Sequence, residues 1–376
     1  MIEFARHLVA TPSLSGQEGD VIDLCSAEMG SLGYRVSRDK AGNLLGTVGE
    51  GGPRLLFDVH ADTVAPAHPL SRTPTNGSDV ALDAGRLWGR GSCDVKGPLA
   101  ALIYGVADAA RAGRLRATVG VAVTTLEEVL EGAALALVID DFSPEGVVIV
   151  EPSRGQVALA QRGRAEILIE VTGRAAHAAY PERGANALAA GAAILCSLER
   201  REVAHDPELG ATILVATEAA TEPFPGVSVV PNRCHLRLDR RMLPGESAEM
   251  VLAELAPFLA EAERYGARAS AAISDSTVTT YTGVELAMPR FFPAWRARSG
   301  PFVDAVLASA PAGPPAVFCT NGSLSAGRGI PTVIFGPGDP ERAHQDDEYI
   351  DLDELEGGRA QFADLAAMNF PQSTER

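Results

Sequence analysis

The sequence predicts an α/β protein whose mostly parallel sheet is interrupted by an inserted ferredoxin-like α+β module. Three observations carry this prediction. Apolar strand patterns alternate with helical patterns over residues 1–162, which is typical of a parallel sheet covered on both faces. Strands with alternating polar and apolar residues follow over 163–276. Buried patterns return over 277–376, so this chain of 376 residues is expected to form two domains.

The elements expected in the first segment alternate between helix and strand. Periodicity and terminal glycines predict helices over 2–9, 17–32, 98–113 and the run GAALALVIDD, and strands over 54–60, 117–126 and 146–152. Ligands of such sheets bind at the carboxyl ends of the strands. The residues that follow each strand are therefore the candidates for a functional site.

The inserted segment shows the order β-α-β-β-α-β. The expected strands are 164–173, 211–221, 232–242 and 267–274, and the expected helices are 186–201 and 247–266. The alternation along these strands leaves one sheet face open to a partner. Beyond the insertion, PAVFCT and TVIFGPG predict two buried strands, and LDELEGGRAQFADLAAMN predicts a closing helix.

The composition excludes several classes of partner. Hydrophobic residues make up 46% and charged residues 22%, which is ordinary for a globular protein. A formal net charge of -17 argues against nucleic acid or an anionic membrane as a partner. No apolar run approaches the roughly 18 residues of a membrane span, and the N-terminal residues do not resemble a signal peptide. The five dispersed cysteines are typical of reduced thiols, so we expect a cytoplasmic protein.

Histidine and acidic residues stand at the ends of the predicted strands. His60 and Asp62 follow one strand at a spacing of two, which places both on one face. A carboxylate beside an imidazole commonly supports a metal-ligating histidine, but a polar strand end with a capping aspartate explains the pair as well. Asp94 lies among glycines before a helix. It is either the N-cap of that helix or a carboxylate held by a glycine-rich loop.

Two further strand ends and one loop add residues of the same kinds. Glu127 and Glu128 follow the strand of VGVAVTTL, Glu151 ends VVIVEP, and His344 lies after the last apolar strand. Taken singly, each is explained as a solvated charge. Taken together, they offer nitrogen and oxygen donors without a thiolate, which predicts zinc, cobalt or manganese. One carboxylate bridging two ions would leave another as general base.

These residues and their surroundings resemble a known family. The landmarks span nearly the whole chain and read VHADTVAP, GRGSCDVKG, TTLEEVLEG, VIVEPS, GRAAHAAYPERGANAL, LDRRMLPGE and FGPGDPERAHQDDE. They are similar to those of the dinuclear zinc amidohydrolases and metallopeptidases that include acetylornithine deacetylase, succinyl-diaminopimelate desuccinylase, aminoacylase and glutamate carboxypeptidase. Other stretches, among them CTNGS, resemble a poorly characterised bacterial branch of peptidases and hydrolases linked to selenium metabolism.

The resemblance implies a role for each residue at the strand ends. It implies His60 and Glu151 as ligands of the first ion, Glu128 and His344 as ligands of the second, Asp94 as the bridge, Asp62 as the residue that orients His60, and Glu127 as general base. The implied cofactor is a pair of divalent ions, zinc in the first place, with cobalt and manganese as alternatives.

The resemblance also implies a zinc-exopeptidase-like catalytic domain over 1–162 and 277–376, interrupted by a lid and dimerisation domain over 163–276. In a homodimer, His177 would reach the active site of the partner subunit and stabilise the oxyanion. Arg241 would bind the substrate carboxylate, and Asn321 lies in a region that contacts substrate in the family. Plain surface positions are the alternative explanation for His177 and Arg241.

The implied activity is hydrolysis of the amide bond of a small N-acyl amino acid by a metal-activated water. A dipeptidase or carboxypeptidase using the same dinuclear site is the alternative. A catalytically inactive metal-binding homologue is a third, and it is disfavoured because the ligand and base positions are all filled by suitable residues.

Overall fold

The computed structural model describes residues 1–65 and 80–371. The chain divides into two compact units. Unit 1 comprises Met1–Gln161, Thr277–Met288 and Arg296–Arg376, and unit 2 comprises Arg162–Ser276 and Pro289–Trp295. Within the described ranges, none of the helices combines the length and the apolar character needed to cross a bilayer.

The helices and strands of the described residues have the following bounds. The α-helices are α1 (Ile2–Ala10), α2 (Gly19–Ser31), α3 (Lys96–Arg111), α4 (Ala133–Phe142), α5 (Ala187–Leu198), α6 (Ala248–Leu259), α7 (Pro301–Ser309), α8 (Gly322–Gly327) and α9 (Leu352–Ala366), with short 3₁₀ segments at Pro181–Arg183, Ala260–Tyr265 and Pro340–Arg342. The strands are β1 (Arg35–Arg38), β2 (Leu44–Val48), β3 (Arg54–His60), β4 (Ala81–Asp83), β5 (Arg86–Trp88), β6 (Thr118–Thr124), β7 (Gly146–Ile149), β8 (Ala160–Gln161), β9 (Gly163–Thr172), β10 (Ala176–His177), β11 (His205–Asp206), β12 (Gly210–Ala211), β13 (Ile213–Glu222), β14 (Val229–Val230), β15 (Arg233–Met242), β16 (Arg268–Ile273), β17 (Asp275–Thr279), β18 (Glu285–Pro289), β19 (Phe291–Phe292), β20 (Trp295–Arg296), β21 (Thr332–Ile334) and β22 (Tyr349–Asp351).

The central sheet of unit 1 has the order β1-β2-β6-β3-β7-β21. Strands β6, β3, β7 and β21 run parallel to one another, and the β1–β2 pair joins β6 antiparallel. The predicted α/β fold with a mostly parallel sheet is thus confirmed. The four parallel strands end at the same edge of the sheet, which positions the residues that follow them.

Strand β3 shows why the sheet is buried on both faces. Leu55, Phe57 and Val59 belong to the core shared with α3 and α9, and the ring of Phe57 meets that of Phe362 edge-on at 6.1 Å. The residues between them point to the opposite face. That face therefore carries the last residue of the strand, His60.

Unit 2 is built on the antiparallel sheet β13-β15-β9-β16. The predicted order β-α-β-β-α-β is the one observed. Alternate residues of β9, from Ala165 to Val171, are buried in a core that α5 and α6 complete. The residues between them are partly exposed on the other face. Strand β13 forms the edge of this sheet, and most of its residues are exposed.

Three sequence-based expectations differ from the structure. PAVFCT is not a strand, because only Ala316 pairs there, in an isolated bridge with Gln161, and prolines precede it that cannot donate to a sheet. Residues 289–295 belong to unit 2 rather than to the first domain, because β19 pairs with β9. The antiparallel strands β1 and β2 and the helix α7 were not predicted.

Candidate metal centre

The carboxyl ends of three neighbouring parallel strands supply most of the candidate residues. His60 is the last residue of β3, Glu127 and Glu128 lie in the turn after β6, and Glu151 follows β7. Strands β6 and β7 both pair with β3. Residues far apart in sequence are therefore brought together by the sheet itself.

Asp94 lies between two imidazoles. Its Oδ1 is 3.1 Å from His60 Nε2, and its Oδ2 is 3.2 Å from His344 Nε2. His60 Nε2 is also 3.9 Å from Glu151 Oε1, and His344 Nε2 is 3.1 Å from Glu128 Oε1. The N-cap of α3 is Val95 and not Asp94. The Asp94 carboxylate is thus free to face both histidines.

Two groups of potential metal ligands result. The first group is His60, Asp94 and Glu151, and the second group is Asp94, Glu128 and His344, with the ligand atoms of each group within 4.8 Å of one another. The groups share Asp94, which offers one carboxylate oxygen to each. A shared carboxylate is the arrangement expected when one residue bridges a pair of divalent ions.

The electrostatics of the two groups favour cations. Burial and the neighbouring carboxylates raise the pKa of Glu151 well above its usual range. Burial alone would lower the pKa of His60, but the nearby carboxylates of Asp62, Asp94 and Glu151 raise it well above its ordinary value. Hydrogen bonds to Asp94 and Glu128 raise the pKa of His344 to about 10. The carboxylates around both imidazoles thus favour positive charge at this place, and the nitrogen and oxygen donors fit divalent metals.

The turn after β6 is held by three side chains through its backbone. Four consecutive N–H groups donate to them: Thr125 N to Asn43 Oδ1 (3.0 Å), Leu126 N to Glu18 Oε1 (3.1 Å), Glu127 N to Asp62 Oδ1 (3.1 Å) and Glu128 N to Asp62 Oδ2 (3.1 Å). Leu126 has a φ of 63°, a conformation that is unfavourable for a bulky residue. The hydrogen bonds offset this strain and fix the backbone positions of Glu127 and Glu128.

Asp62 orients His60 through its main chain. The Nδ1–H of His60 donates to the Asp62 carbonyl oxygen at 2.8 Å, whereas Asp62 Oδ1 is 3.6 Å from the same nitrogen. This contact leaves Nε2 to face Asp94. The Asp62 carboxylate instead accepts the two N–H groups of the turn and the hydroxyl of Ser15.

The adjacent glutamates Glu127 and Glu128 differ in their surroundings. Glu128 belongs to the second ligand group, whereas among the described residues Glu127 belongs to neither group. Glu127 is buried, and burial together with the charges of Glu151 and Glu128 raises its pKa well above its usual range. A carboxyl group with a raised pKa beside a metal pair is suited to accept and return a proton.

His177 and Arg241 are both in unit 2. His177 is exposed on β10, and its Nδ1 accepts the N–H of Ala179 at 3.0 Å. Arg241 is partly exposed on β15, and its Nε donates to Asp239 Oδ1 at 2.7 Å. Their predicted roles in catalysis and substrate binding stay predictions.

The substrate contact predicted for Asn321 stays a prediction, and the structure gives this side chain other partners. Its side chain is buried, with 2% exposed. Its Nδ2 donates to Asp58 Oδ2 at 2.9 Å, and its Oδ1 accepts the N–H of Gly132 at 2.5 Å. Because both ends of the carboxamide are occupied inside unit 1, the side chain joins α8 to the sheet instead.

Sequence reasoning missed three residues that support the centre. Asn43 and Glu18 hold the turn after β6, and Glu348 is fully buried and accepts the N–H groups of Cys93 and Asp94. In the sequence Glu348 ends the run QDDE, which has the pattern of a solvated loop. The one indication was its place four residues after His344.

Residues 56–368 match the sequence model of peptidase family M20/M25/M40, which covers most of the chain. The chain belongs to this family. It is accordingly a metal-dependent hydrolase, a deacylase or a peptidase, and the resemblance of the landmark sequences is confirmed.

Individual M20 relatives cover nearly the whole chain. The uncharacterized protein YgeY of Escherichia coli K12 is 32% identical over 373 residues, 93% of this chain and 89% of its own. Acetylornithine deacetylase of Myxococcus xanthus is 29% identical over 89% of this chain and 88% of its own. The crystal structure of the Bacillus subtilis YXEP protein, described as a dinuclear metal binding peptidase from the M20 family, aligns with a TM-score of 0.72 at 16% identity, covering 97% of this chain and 96% of that one.

Proposed function

We propose that this M20 hydrolase cleaves the amide bond of N-acyl amino acids with a water activated by two divalent metal ions. The observation that supports it is the pair of ligand groups that share Asp94, with Glu127 beside them and outside both. The acetylornithine deacetylase relative, similar along nearly its whole length, supports an acylated amino acid as substrate. Zinc is the proposed metal, with cobalt and manganese as alternatives.

The proposed ligands follow the two groups. His60 and Glu151 would hold the first ion, Glu128 and His344 the second, and Asp94 both. Bound there, two divalent ions acidify water and polarise a carbonyl group. Glu127 would take the proton from the attacking water, since its carboxyl group is buried and has a raised pKa. The same carboxyl group would then deliver the proton to the leaving amine.

Unit 2 is proposed to act as lid and dimerisation domain. Its surface exposes large apolar side chains, among them Phe224 (87% exposed) and Val227 (75%) in the segment before β14, which pairs with the strand of His177, and Val215 (50%) on the edge strand β13. Exposed apolar residues of this kind support a second copy of the chain as partner. His177 would stabilise the oxyanion from the partner subunit, and Arg241 would bind the substrate carboxylate.

A substrate panel tests the proposal. The protein would be loaded separately with zinc, cobalt and manganese and assayed on acetyl- and succinyl-amino acids, on dipeptides and on tripeptides. Hydrolysis of acyl amino acids is expected, and Glu127→Gln, matched in size, is the inactive control. Activity confined to peptides would move the assignment to a dipeptidase or carboxypeptidase. No hydrolysis of any compound by protein carrying two ions would overturn it.

A further inference from the structure

Glu348 is a buried carboxylate that accepts hydrogen bonds from the backbone beside a proposed ligand. None of its surface is exposed. Its Oε1 accepts two backbone N–H groups, from Cys93 at 2.9 Å and from Asp94 at 3.0 Å. The peptide groups on which the Asp94 side chain stands are therefore fixed by a residue 254 positions later in the chain.

Two further bonds join the same segments. Arg90 donates from Nη1 to Glu348 Oε2 at 2.5 Å, and the N–H of Gly89 donates to the Glu348 carbonyl oxygen at 3.0 Å. Residues 89–94, here called the Asp94 loop, are thus held by Glu348 through both its side chain and its main chain. The Arg90 guanidinium also compensates the buried negative charge.

The segment that carries His344 is held on both sides of that residue. Residues 339–348, here called the His344 loop, are anchored by Arg342, which pairs with Glu354 at 2.8 Å. Glu348 is the second anchor. His344 lies between the two anchors with a φ of 61°, a backbone conformation that unconstrained loops rarely keep.

We propose that Glu348 is a positioning residue of the second metal site, which joins the Asp94 loop to the His344 loop so that both ligands face one ion. Two of the three ligands in the second group, Asp94 and His344, lie on the two loops that Glu348 joins. In the first group only Asp94 does, because His60 and Glu151 stand at strand ends of the sheet. Loss of the Glu348 carboxylate should therefore weaken the second site more than the first.

The inference rests on the proposed ligands but not on the substrate, so it is tested by metal binding alone. Metal-free protein would be titrated with Co²⁺, and the number and affinity of the bound ions read from the visible absorption of the metal. Glu348→Ala is expected to bind the first equivalent like the unaltered protein and the second about 10- to 100-fold more weakly, the effect typical of residues that support metal ligands. Glu348→Gln should lose less of the affinity for the second ion, because its amide oxygen still accepts both N–H groups.

Two controls separate positioning from charge and from general stability. Glu341→Ala removes a carboxylate of the same loop whose side chain is 83% exposed and pairs with Arg154, and it should leave both affinities unchanged. In the Glu348→Ala background, adding His60→Ala should remove the ion that binds tightly, whereas adding His344→Ala should not. Thermal unfolding of each metal-free variant reports stability separately.

Several results would overturn the proposal. The proposal is wrong if Glu348→Ala binds both ions as tightly as the unaltered protein, or if its affinity for both ions falls equally. It is also wrong if the ion that Glu348→Ala still binds tightly needs His344 instead of His60. If Glu348→Ala does not fold, Glu348→Asp, one methylene too short, is compared with Glu348→Gln. A lower affinity for the second ion in the aspartate variant supports the positioning role of Glu348, and equal affinities in the two variants refute it. A failed substrate panel with this metal result intact would refute only the proposed reaction.

Discussion

Asp62 holds the backbone of Glu127 rather than its side chain. The Oδ1 atom of Asp62 accepts the N–H of Glu127 at 3.1 Å, and Oδ2 accepts the N–H of Glu128 at the same distance. One carboxylate thereby fixes the backbone of the proposed base and of a proposed ligand. The relationship separates two functions of Asp62, since its main chain orients His60 and its side chain holds the turn.

Replacement of Asp62 by alanine should therefore affect turnover more than the first metal site. We expect kcat to fall about 10- to 100-fold on the substrate found in the panel, because the turn that carries Glu127 loses two hydrogen bonds. The affinity of the first ion should be unchanged, since the Nδ1 bond of His60 uses a main-chain oxygen. Ser15→Ala removes only one bond to Asp62, at 2.7 Å, and should have a small effect. Loss of the first ion from Asp62→Ala would contradict this division.

Glu127→Gln should abolish turnover while two metal ions remain bound. Glu127 is outside both ligand groups, so its replacement leaves the ligands in place. We expect kcat to fall by about two to four orders of magnitude, the usual contribution of a general base. Steady-state kinetics and metal analysis of the same sample provide the test. A glutamine variant with near-normal kcat would exclude Glu127 as the base.

Glu18 should make the stability of the metal-free protein depend on pH. Burial raises the pKa of Glu18 from 4.5 to about 7, and the charge of Asp62 adds to this. The folded state thus binds the proton more tightly than the unfolded state. This contribution to the free energy of unfolding is fully present below about pH 4.5 and is lost as the pH rises to about 7.

Glu18→Gln isolates that dependence. The amide oxygen can still accept the N–H groups of Gly16 and Leu126, but glutamine does not titrate. Relative to the unaltered protein, the variant should gain at most about 3 kcal/mol of unfolding free energy between pH 5 and pH 8. Urea unfolding at both pH values measures the difference. The same difference at both values would show that Glu18 does not change its charge on unfolding in this range.

Asn321→Ala should lower stability and leave substrate affinity unchanged. The change removes one partner of the buried Asp58 carboxylate, which keeps the Thr124 hydroxyl, and it removes the partner of the Gly132 N–H. Losing these two hydrogen bonds costs on the order of 3 kcal/mol. The free energy of unfolding and KM are the two measurements. A raised KM without loss of stability would support the substrate contact that the sequence predicted.

The action of His177 across a dimer can be tested by mixing subunits. Glu127→Gln and His177→Ala are each expected to be inactive as homodimers. A mixed dimer would contain one complete site, with Glu127 from one subunit and His177 from the other, so random exchange should restore roughly one site in four. Native mass spectrometry would confirm that exchange has occurred. No recovery in confirmed mixed dimers would place His177 outside the partner's site.

The α/β sheet and the strand ends that carry the candidate ligands could be predicted from the sequence, because both depend on local pattern. An apolar run such as that before His60 identifies a strand, and parallel strands bring their ends together whatever lies between them. The ferredoxin-like order of unit 2 was readable for the same reason. The alternation of buried and exposed residues along β9 and β15 is a local property.

The residues that support the candidate metal centre could not be predicted from the sequence, because their role depends on contacts between distant segments. Glu18 and Glu348 are acidic residues in polar surroundings of the sequence, and only the fold shows that they are buried and accept backbone N–H groups. The contacts of Asn321 were not predictable either, because only the fold places its side chain against the buried Asp58.

The order of the proposed ligands along the chain has a consequence for synthesis on the ribosome. His60, Asp94 and Glu151 precede unit 2, whereas His344 follows it. At the usual pace of translation, the roughly 190 residues between Glu151 and His344 take about 10 to 40 s to make. The nascent chain thus carries every residue of the first group long before it carries the last residue of the second. One ion can be captured during translation, and the other must wait for His344 to be added.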